Sequence, residues 1–187
     1  KKPNYEALHY YLSFKYTPHP YSAFVDIHKL PHGHYLIYQN NKITIENYWQ
    51  NWFKIDNSEK ITDENTAKKT IREKLLEAVK LRMISDVPLG AFLSGGIDSS
   101  IIVGLMTELS AQPIKTFSIG FKEKRFDETE YSNIIANRFK TDHHNFYVDA
   151  RLIEDIDKLV WHYNEPFADS SMLPTYYLSR ETRKYVT

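Results

Sequence analysis

Residues 93–99 read Leu-Ser-Gly-Gly-Ile-Asp-Ser and lie between a short apolar run and an apolar helix. Upstream, residues 87–93 have a proline near their start, where a strand tolerates the missing amide, and they predict a buried strand. Downstream, residues 101–109 carry apolar side chains at helical spacing, which predicts a helix packed on a sheet. A strand, a glycine-containing loop and a helix in this order point backbone amides and the positive helix end at one place. We therefore expect a nucleotide phosphate to bind there.

Each residue type in this loop suits a phosphate. Gly95 and Gly96 lack a Cβ, so the backbone can adopt positive φ and a polyanion can approach closely. Ser94 and Ser99 add hydroxyl donors. Asp98 would repel a triphosphate unless a divalent cation lay between them, and we assign it to Mg2+. The alternative is an ordinary turn in which Asp98 only caps the next helix.

Other phosphate and nucleophile motifs do not fit this segment. No lysine follows the glycines, as a P-loop requires, and the spacing is not that of a dinucleotide-binding G-x-G-x-x-G. Leu93 occupies the place of the first glycine of a G-x-S-x-G elbow, which argues against Ser94 as a hydrolase nucleophile.

The segment Ser94-Gly95-Gly96-Ile97-Asp98-Ser99 resembles the S-G-G-x-D-S pyrophosphate loop of the ATP pyrophosphatase superfamily. The surrounding sequence is similar to one branch of it, the glutamine-dependent asparagine synthetases. The segments that carry this second resemblance are 82–90 (RMISDVPLG), 116–121 (TFSIGF), 126–128 (FDE) and 164–171 (NEPFADSS).

This resemblance implies an enzyme that converts aspartate to asparagine with ATP and Mg2+. Aspartate would form an aspartyl adenylate with release of pyrophosphate, and glutamine-derived ammonia would displace AMP. The main chains of Leu93 and Ile119 would lie beside the adenosine, and Ser170 and Ser171 near the substrate and the acyl adenylate. The resemblance also implies a homodimer.

Two other functions remain open at this stage. The pyrophosphate loop does not distinguish aspartate from another carboxylate, such as a sugar acid or a β-lactam precursor. A nucleotide-binding regulatory module would also have this loop, but a module that only binds needs no carboxylate to place a metal. Asp98 therefore favours the enzyme.

Composition restricts the class of protein. The 187 residues are 42% hydrophobic, enough for a real core, and contain no cysteine, which excludes disulfides and thiolate zinc sites. Lys plus Arg equals Asp plus Glu at 24 each, so no bulk positive charge indicates a nucleic-acid partner. No apolar segment predicts a membrane partner or a signal peptide, and we expect a cytoplasmic protein.

Residues 1–55 predict a small β-rich domain. They contain a helix at 6–16 and strands at 22–27, 33–39 and 42–48, with Asn40-Asn41 as a tight turn. They resemble the C-terminal part of a glutaminase domain of the N-terminal-nucleophile, amidotransferase type 2 class. The cysteine nucleophile of that class is missing, so this chain as given is not expected to hydrolyse glutamine.

Residues 56–187 predict the N-terminal part of the synthetase domain, after a polar linker at 54–61. Thr62 is the predicted cap of a helix over 62–85, strands follow at 114–120 and 145–148, and Asp127 is the predicted cap of the helix between them. Further helices are predicted from 152 to 163 and after Pro174. This alternation indicates an α/β fold with a parallel doubly wound sheet, which the resemblance specifies as adenine nucleotide α-hydrolase-like. Ligands of such sheets bind beyond the carboxyl ends of the strands, where Ser94 and residues 119–121 fall.

The chain is expected to be a segment of a longer protein, because it lacks an initiating methionine. The resemblance implies that residues 185–187 begin a strand leading to a second glycine-rich, acidic loop, without which we expect no synthetase activity. His32, His34, His143 and His144 lack a third ligand at a sensible spacing, and we interpret them as ordinary surface or loop residues.

Overall fold

The computed structural model describes residues 1–49, 60–124, 127–148 and 155–187. The chain forms two compact units, one of residues Lys1–Lys60 with Asp157–Asp169 and one of Ile61–Ile156 with Ser170–Thr187. None of the described helices is both long and apolar enough to cross a membrane. The described helices and strands, in chain order, are α1 (Tyr5–Phe14), β1 (His34–Gln39), β2 (Lys42–Asn47), α2 (Glu64–Arg82), β3 (Gly90–Phe92), α3 (Ile97–Leu109), β4 (Lys115–Phe121), α4 (Thr129–Phe139), β5 (Asp142–Val148), α5 (Ile156–Tyr163) and α6 (Met172–Thr182).

The first unit contains α1 and an antiparallel hairpin. The Asn4 side chain caps α1 by accepting from the Ala7 amide at 3.2 Å, and the helix ends at Lys15 in the left-handed region. Strands β1 and β2 pair from His34↔Asn47 to Gln39↔Lys42. Asn40 and Asn41 have φ values of 51° and 58°, as a two-residue hairpin turn requires, so the predicted turn is confirmed.

The strand predicted at 22–27 is absent from this described region, which shows only isolated bridges, Pro3↔Phe24 and Tyr21↔His28. The Ser22 hydroxyl accepts from the Phe24 amide at 3.1 Å, and Asp26 has a φ of 63°. A local turn therefore uses backbone groups that an extended ladder would need.

The second unit is built on a three-stranded parallel sheet in the order β3-β4-β5. The register runs from Gly90↔Lys115 to Phe92↔Phe117 and from Lys115↔Asp142 to Phe121↔Val148. Helices α3 and α4 form the two crossovers between these strands. The predicted α/β class is therefore confirmed.

Helices cover both faces of the sheet. The Phe117 ring of β4 lies 5.7 Å from the ring of Tyr185, which follows α6. A Cβ added to Gly120 of β4 would instead meet Thr129, the first residue of α4, at 2.8 Å. Because side chains alternate along a strand, positions 117 and 120 face opposite sides. Helices α4 and α6 therefore lie on opposite faces.

The core of this unit consists of two clusters of buried apolar side chains. One joins α2 and α3 and the other joins the end of β3 to α3 and α4. The buried members are Val79, Leu105, Met106 and Ile114 in the first cluster and Leu93, Val103 and Ala136 in the second. The second cluster fixes the point where β3 leaves the sheet.

Several element boundaries differ from the prediction. Strand β3 begins only at Gly90, because the Ser85 hydroxyl bonds both the amide and the carbonyl of Val87 and turns the chain there. Strand β5 begins three residues earlier than predicted, at Asp142, whose amide donates to the Ile114 carbonyl at 2.9 Å.

The predicted cap of α2 was wrong by one residue. Asp63, not Thr62, is the N-cap, and its carboxylate accepts from the Thr66 amide at 2.7 Å. The cap position of α4 is Glu128 rather than Asp127, although the Asp127 carboxylate still accepts from the Thr129 amide at 3.2 Å.

The last predicted elements are changed in extent. The helix predicted at 152–163 is described as α5 from Ile156, and residues 152–154 lie outside the described residues. No strand is assigned at 185–187, which are described. Tyr185 is in a turn, and the Thr187 amide donates to the Pro88 carbonyl at 3.4 Å.

Candidate functional site

The loop between β3 and α3 exposes a helix N-terminus. The Leu93 amide donates to the Phe117 carbonyl at 2.9 Å, which holds the start of the loop on the sheet. Gly96 is the N-cap of α3, and its missing side chain caps nothing. The first helical hydrogen bond of α3 runs from the Ser100 amide to the Gly96 carbonyl at 3.0 Å. The amides of residues 97–99 therefore have no partner within the helix, as an anion site requires.

Serine hydroxyls line the same loop. The Ser94 and Ser99 hydroxyl oxygens are 3.0 Å apart. The Gly96 amide donates to Ser94 Oγ at 3.3 Å, and the Ser99 hydroxyl also contacts the Gly96 carbonyl at 3.2 Å. These contacts hold both hydroxyls at the loop before any ligand binds, so little side-chain ordering would remain for an anion to impose.

Gly95 brings the loop against helix α4. Its φ is +80°, and an added Cβ would lie 2.5 Å from the Tyr131 Cβ and 2.6 Å from the Ser132 amide nitrogen. Both the conformation and the close approach require glycine. The loop is therefore shaped partly by α4, which follows the next strand.

A cavity of about 410 Å3 opens beside this loop. Apolar residues and serines make up most of its lining, and Glu128 is the acidic residue among them. The residues that line it are Phe92, Leu93, Ser94, Ser99, Ser118, Ile119, Phe121, Glu128, Ser132, Ser171, Pro174 and Leu178. Such a wall suits an apolar base together with polar groups.

The cavity brings together five of the predicted site residues, Leu93, Ser94, Ser99, Ile119 and Ser171. Gly95 and Gly96 shape the loop without lining the cavity, and Ser170, one residue before Ser171, does not line it. Phe121, at the strand end predicted to face the ligand, also lines the cavity, whereas sequence reasoning missed Ser118 in the middle of β4. Pro174 and Leu178 reach the wall only through the packing of α6, which no local pattern predicts.

Ser118 links the cavity floor to the loop. It is 4% exposed, and its hydroxyl donates to the Leu93 carbonyl on the neighbouring strand. A buried hydroxyl without a partner would be costly, so this bond satisfies Ser118 and also fixes the Leu93 main chain.

Asp98 is exposed in the first turn of α3 and does not line the cavity. Across residues 1–49, 60–124, 127–148 and 155–187, no three or more His, Cys, Asp or Glu side chains form a group that could hold a metal. Any metal at Asp98 would therefore take most of its ligands from a bound molecule or water.

His143 belongs to a chain of polar side chains on the sheet. The Thr116 hydroxyl lies 2.8 Å from His143 Nδ1, and His143 Nε2 lies 3.1 Å from Asn145 Oδ1. Asn145 donates in turn to Asn133 Oδ1 at 2.9 Å. In the neutral ring, Nε2 donates to Asn145 and Nδ1 accepts from Thr116. Burial lowers the pKa of His143 below its ordinary value, which favours this neutral form.

Helix α6 is anchored by Tyr177. Its hydroxyl donates to Asp155 Oδ2 at 2.8 Å, and this hydrogen bond raises the pKa of the Tyr177 phenol. The Arg180 guanidinium lies 4.6 Å from the centroid of the Tyr177 ring and 3.8 Å from Asp155 Oδ2. These contacts fix the helix that carries Ser171, Pro174 and Leu178 into the cavity wall.

The fold and site define an α/β protein with a glycine-containing loop at the carboxyl end of the first strand of its parallel sheet. Comparison with known proteins identifies the family: the asparagine synthase family model matches residues 70–187, and the chain belongs to this family. A putative glutamine-hydrolysing asparagine synthetase of Methanocaldococcus jannaschii is 42% identical over 186 residues, which are 98% of this chain and 36% of that protein.

Two further relatives show the breadth of the similarity. The glutamine-hydrolysing asparagine synthetase 1 of Bacillus subtilis is 33% identical over 184 residues, 97% of this chain and 28% of its own length. A Penicillium rubens protein named amidase chyE is 32% identical over 162 residues, 78% of this chain and 24% of its own length. The chain thus spans about a quarter to a third of the length of these relatives.

Proposed function

We propose that the protein carrying this chain is a ligase that forms asparagine from aspartate, with ATP as the energy source. The observation that carries this proposal is the cavity lined both by the serines of the S-G-G-x-D-S loop and by Ser171, the N-cap residue of α6. The loop offers donors for phosphate, and α6 offers a hydroxyl to a second substrate. The names of the Methanocaldococcus and Bacillus relatives support the same reaction.

The proposed reaction has two steps. The side-chain carboxylate of aspartate attacks the α-phosphorus of ATP, which forms an aspartyl adenylate and expels pyrophosphate. Ammonia then attacks the activated carbonyl carbon, and AMP leaves as asparagine forms. The amides at the start of α3 and the hydroxyls of Ser94 and Ser99 would hold the departing pyrophosphate and stabilise its charge. Ser171 would donate a hydrogen bond to the substrate carboxylate or to the adenylate, with Ser170 beside it in the chain.

The adenine base would lie against the apolar part of the cavity wall. Leu93 and Ile119 line the cavity at the carboxyl ends of β3 and β4, and their main-chain groups would bind the base. The bond from Ser118 to the Leu93 carbonyl restrains that part of the wall. A base held there would leave its triphosphate directed to the loop.

Asp98 fits a magnesium ligand. Asp98 is exposed and directly precedes Ser99 in the chain, and hard oxygen donors are what Mg2+ prefers. Magnesium would supply charge neutralisation between the phosphate oxygens. Because no three-ligand acidic or histidine group was found in the described part of the chain, a single carboxylate with phosphate oxygens is the proposed mode.

The acceptor is the least constrained part of the proposal. The Penicillium relative named as an amidase favours keeping a second candidate, an amidotransferase that acts on another carboxylate. A module that binds nucleotide without turnover is the third candidate, and Asp98 argues against it.

The ammonia source is proposed to be a glutaminase domain, with residues 1–55 as its C-terminal part and residues 56–187 as the start of the synthetase domain. The change of compact unit at Lys60 supports a boundary near this point. We further propose a cytoplasmic homodimer.

Exchange of labelled pyrophosphate into ATP tests the proposal in the full-length gene product. Aspartate should support exchange, and sugar acids and other amino acids should not. Exchange with a different acid but not aspartate would select the second candidate. Nucleotide binding without exchange for any acid would select the binding module.

A further inference from the structure

Glu128 is the one ionisable side chain among the described residues that line the cavity. A carboxylate at this position would repel phosphate, so it needs a different part of the ligand as its partner. Its position in the wall was not predicted from the sequence, where residues 126–128 carried only a resemblance.

Glu128 is the N-cap residue of α4, but its carboxylate does not cap the helix. Asp127 instead accepts from the Thr129 amide at 3.2 Å, whereas the Glu128 side chain makes no capping hydrogen bond. Only the Glu128 carbonyl serves the helix, by accepting from the Tyr131 and Ser132 amides at 3.1 and 3.2 Å. A carboxylate accepts hydrogen bonds, so its natural partners are donor groups such as hydroxyls.

Glu128 lines the same cavity as the loop serines and the apolar residues of β4. It precedes Ser132, whose amide nitrogen lies near Gly95 of the loop, by four residues, about 6 Å along a helix axis. It also follows Ile119 and Phe121, which form the apolar wall, in the connection from β4 to α4. In a nucleotide, the sugar joins the base to the phosphates, and its hydroxyls are neutral donors.

We propose that Glu128 binds the ribose hydroxyls of the nucleotide and makes the site selective for ribonucleotides. This inference rests on the proposed nucleotide function and assigns a residue to the sugar. An acidic side chain that accepts from ribose hydroxyls is a recurrent solution in α/β nucleotide sites. A substrate ammonium group would also pair with a carboxylate, but the flanking loop and apolar wall both suit the nucleotide.

The test compares ATP with 2′-deoxyATP and 3′-deoxyATP in the full-length gene product. We expect the parent to prefer ATP over at least one deoxy analogue by about tenfold or more in kcat/KM for pyrophosphate exchange. The Glu128→Ala variant should lose activity with ATP and discriminate less than about twofold. Glu128→Gln, which keeps one acceptor oxygen, should discriminate to an intermediate degree. Glu130→Ala, an exposed change in the same helical turn and outside the cavity wall, is the matched control and should retain the parent's preference.

Two results would overturn the proposal. In the first, Glu128→Ala lowers kcat/KM equally for all three nucleotides. In the second, it raises the KM of the acid alone, which would assign the carboxylate to a substrate amino group. Dissociation constants of the same nucleotides, measured by calorimetry, test the ribose role of Glu128 separately from the ligase function. If the parent binds nucleotide but supports no exchange, the ligase proposal fails, and the binding ratios of the parent and Glu128→Ala still decide the role of Glu128.

Discussion

Gly95 and Ser132 are in backbone contact, since a Cβ at residue 95 would lie 2.6 Å from the Ser132 amide nitrogen. This contact joins the phosphate loop to α4, and it cannot be relieved by rotating a side chain.

Gly95→Ala should destabilise the second unit by about 2–4 kcal/mol, because it adds left-handed strain to a clash with backbone atoms. Gly96→Ala is the matched control. Its φ is −68°, and its added Cβ would meet only the Ser94 hydroxyl, at 3.3 Å, so it should cost less. Denaturant unfolding of both variants measures the difference. Equal losses would mean that the contact with α4 is unimportant.

Asp98→Ala should reduce magnesium-dependent pyrophosphate exchange by about 100-fold or more while the protein stays folded. The side chain is exposed, so the stability loss should be limited to its helix-dipole contribution, about 0.3–1 kcal/mol. Thermal unfolding and exchange would be measured on the same preparation. Glu77→Ala, an exposed change on α2, should leave exchange unchanged. Undiminished exchange in Asp98→Ala would show that the metal assignment is wrong.

Stability should fall as the pH drops through the region of His143 titration. Burial lowers the folded-state pKa of His143 below the ordinary value of about 6.5, so the unfolded chain binds the proton more readily. The contribution of His143 to the free energy of unfolding is fully present above its unfolded-state pKa. It is lost as the pH falls from there toward the lowered folded-state pKa.

The free energy of unfolding, measured from pH 8 to 5, should therefore fall less steeply in His143→Gln than in the parent. His162→Gln, a change at an exposed histidine, is the control and should preserve the parental slope. If the slope of His143→Gln equals that of the parent, His143 is not responsible.

Tyr177→Phe should destabilise the protein by about 1–2 kcal/mol, because it leaves the Asp155 carboxylate without its phenolic donor while keeping the ring. Since α6 carries Ser171 into the cavity wall, the KM of the acid substrate should rise together with this loss. Tyr176→Phe, which removes a phenolic hydroxyl from the same helix, is the comparison variant for both stability and KM. A stability loss with unchanged KM would indicate that the anchor does not position Ser171.

Short sequence patterns correctly predicted the elements whose conformation depends mainly on residues adjacent in the chain. Asn40 and Asn41 adopt the positive φ values that their hairpin turn needs, and the loop glycines lead directly into α3. The strand predicted at 22–27 failed because one serine hydroxyl diverts the backbone into a turn, which an apolar pattern does not reveal.

The candidate site was predictable where it is contiguous in sequence. The serines at 94 and 99 follow from the loop pattern, and Ile119 follows from the strand end. Glu128 and Leu178 could not be found this way, because they reach the cavity only through the packing of α4 and α6. The chemistry of a carboxylate beside phosphate suggested a magnesium role for Asp98. The direction in which its side chain points could not be predicted, because it depends on how α3 packs on the sheet.

The dependence of the loop on later parts of the chain has a consequence during protein synthesis. The Leu93 carbonyl receives its hydrogen bond from Ser118, 25 residues further along, and Gly95 takes its contact from Tyr131 and Ser132. A ribosome adding about 5–20 residues per second would expose the loop for seconds before these partners emerge. The nascent chain should therefore gain affinity for nucleotide only after α4 has left the exit tunnel.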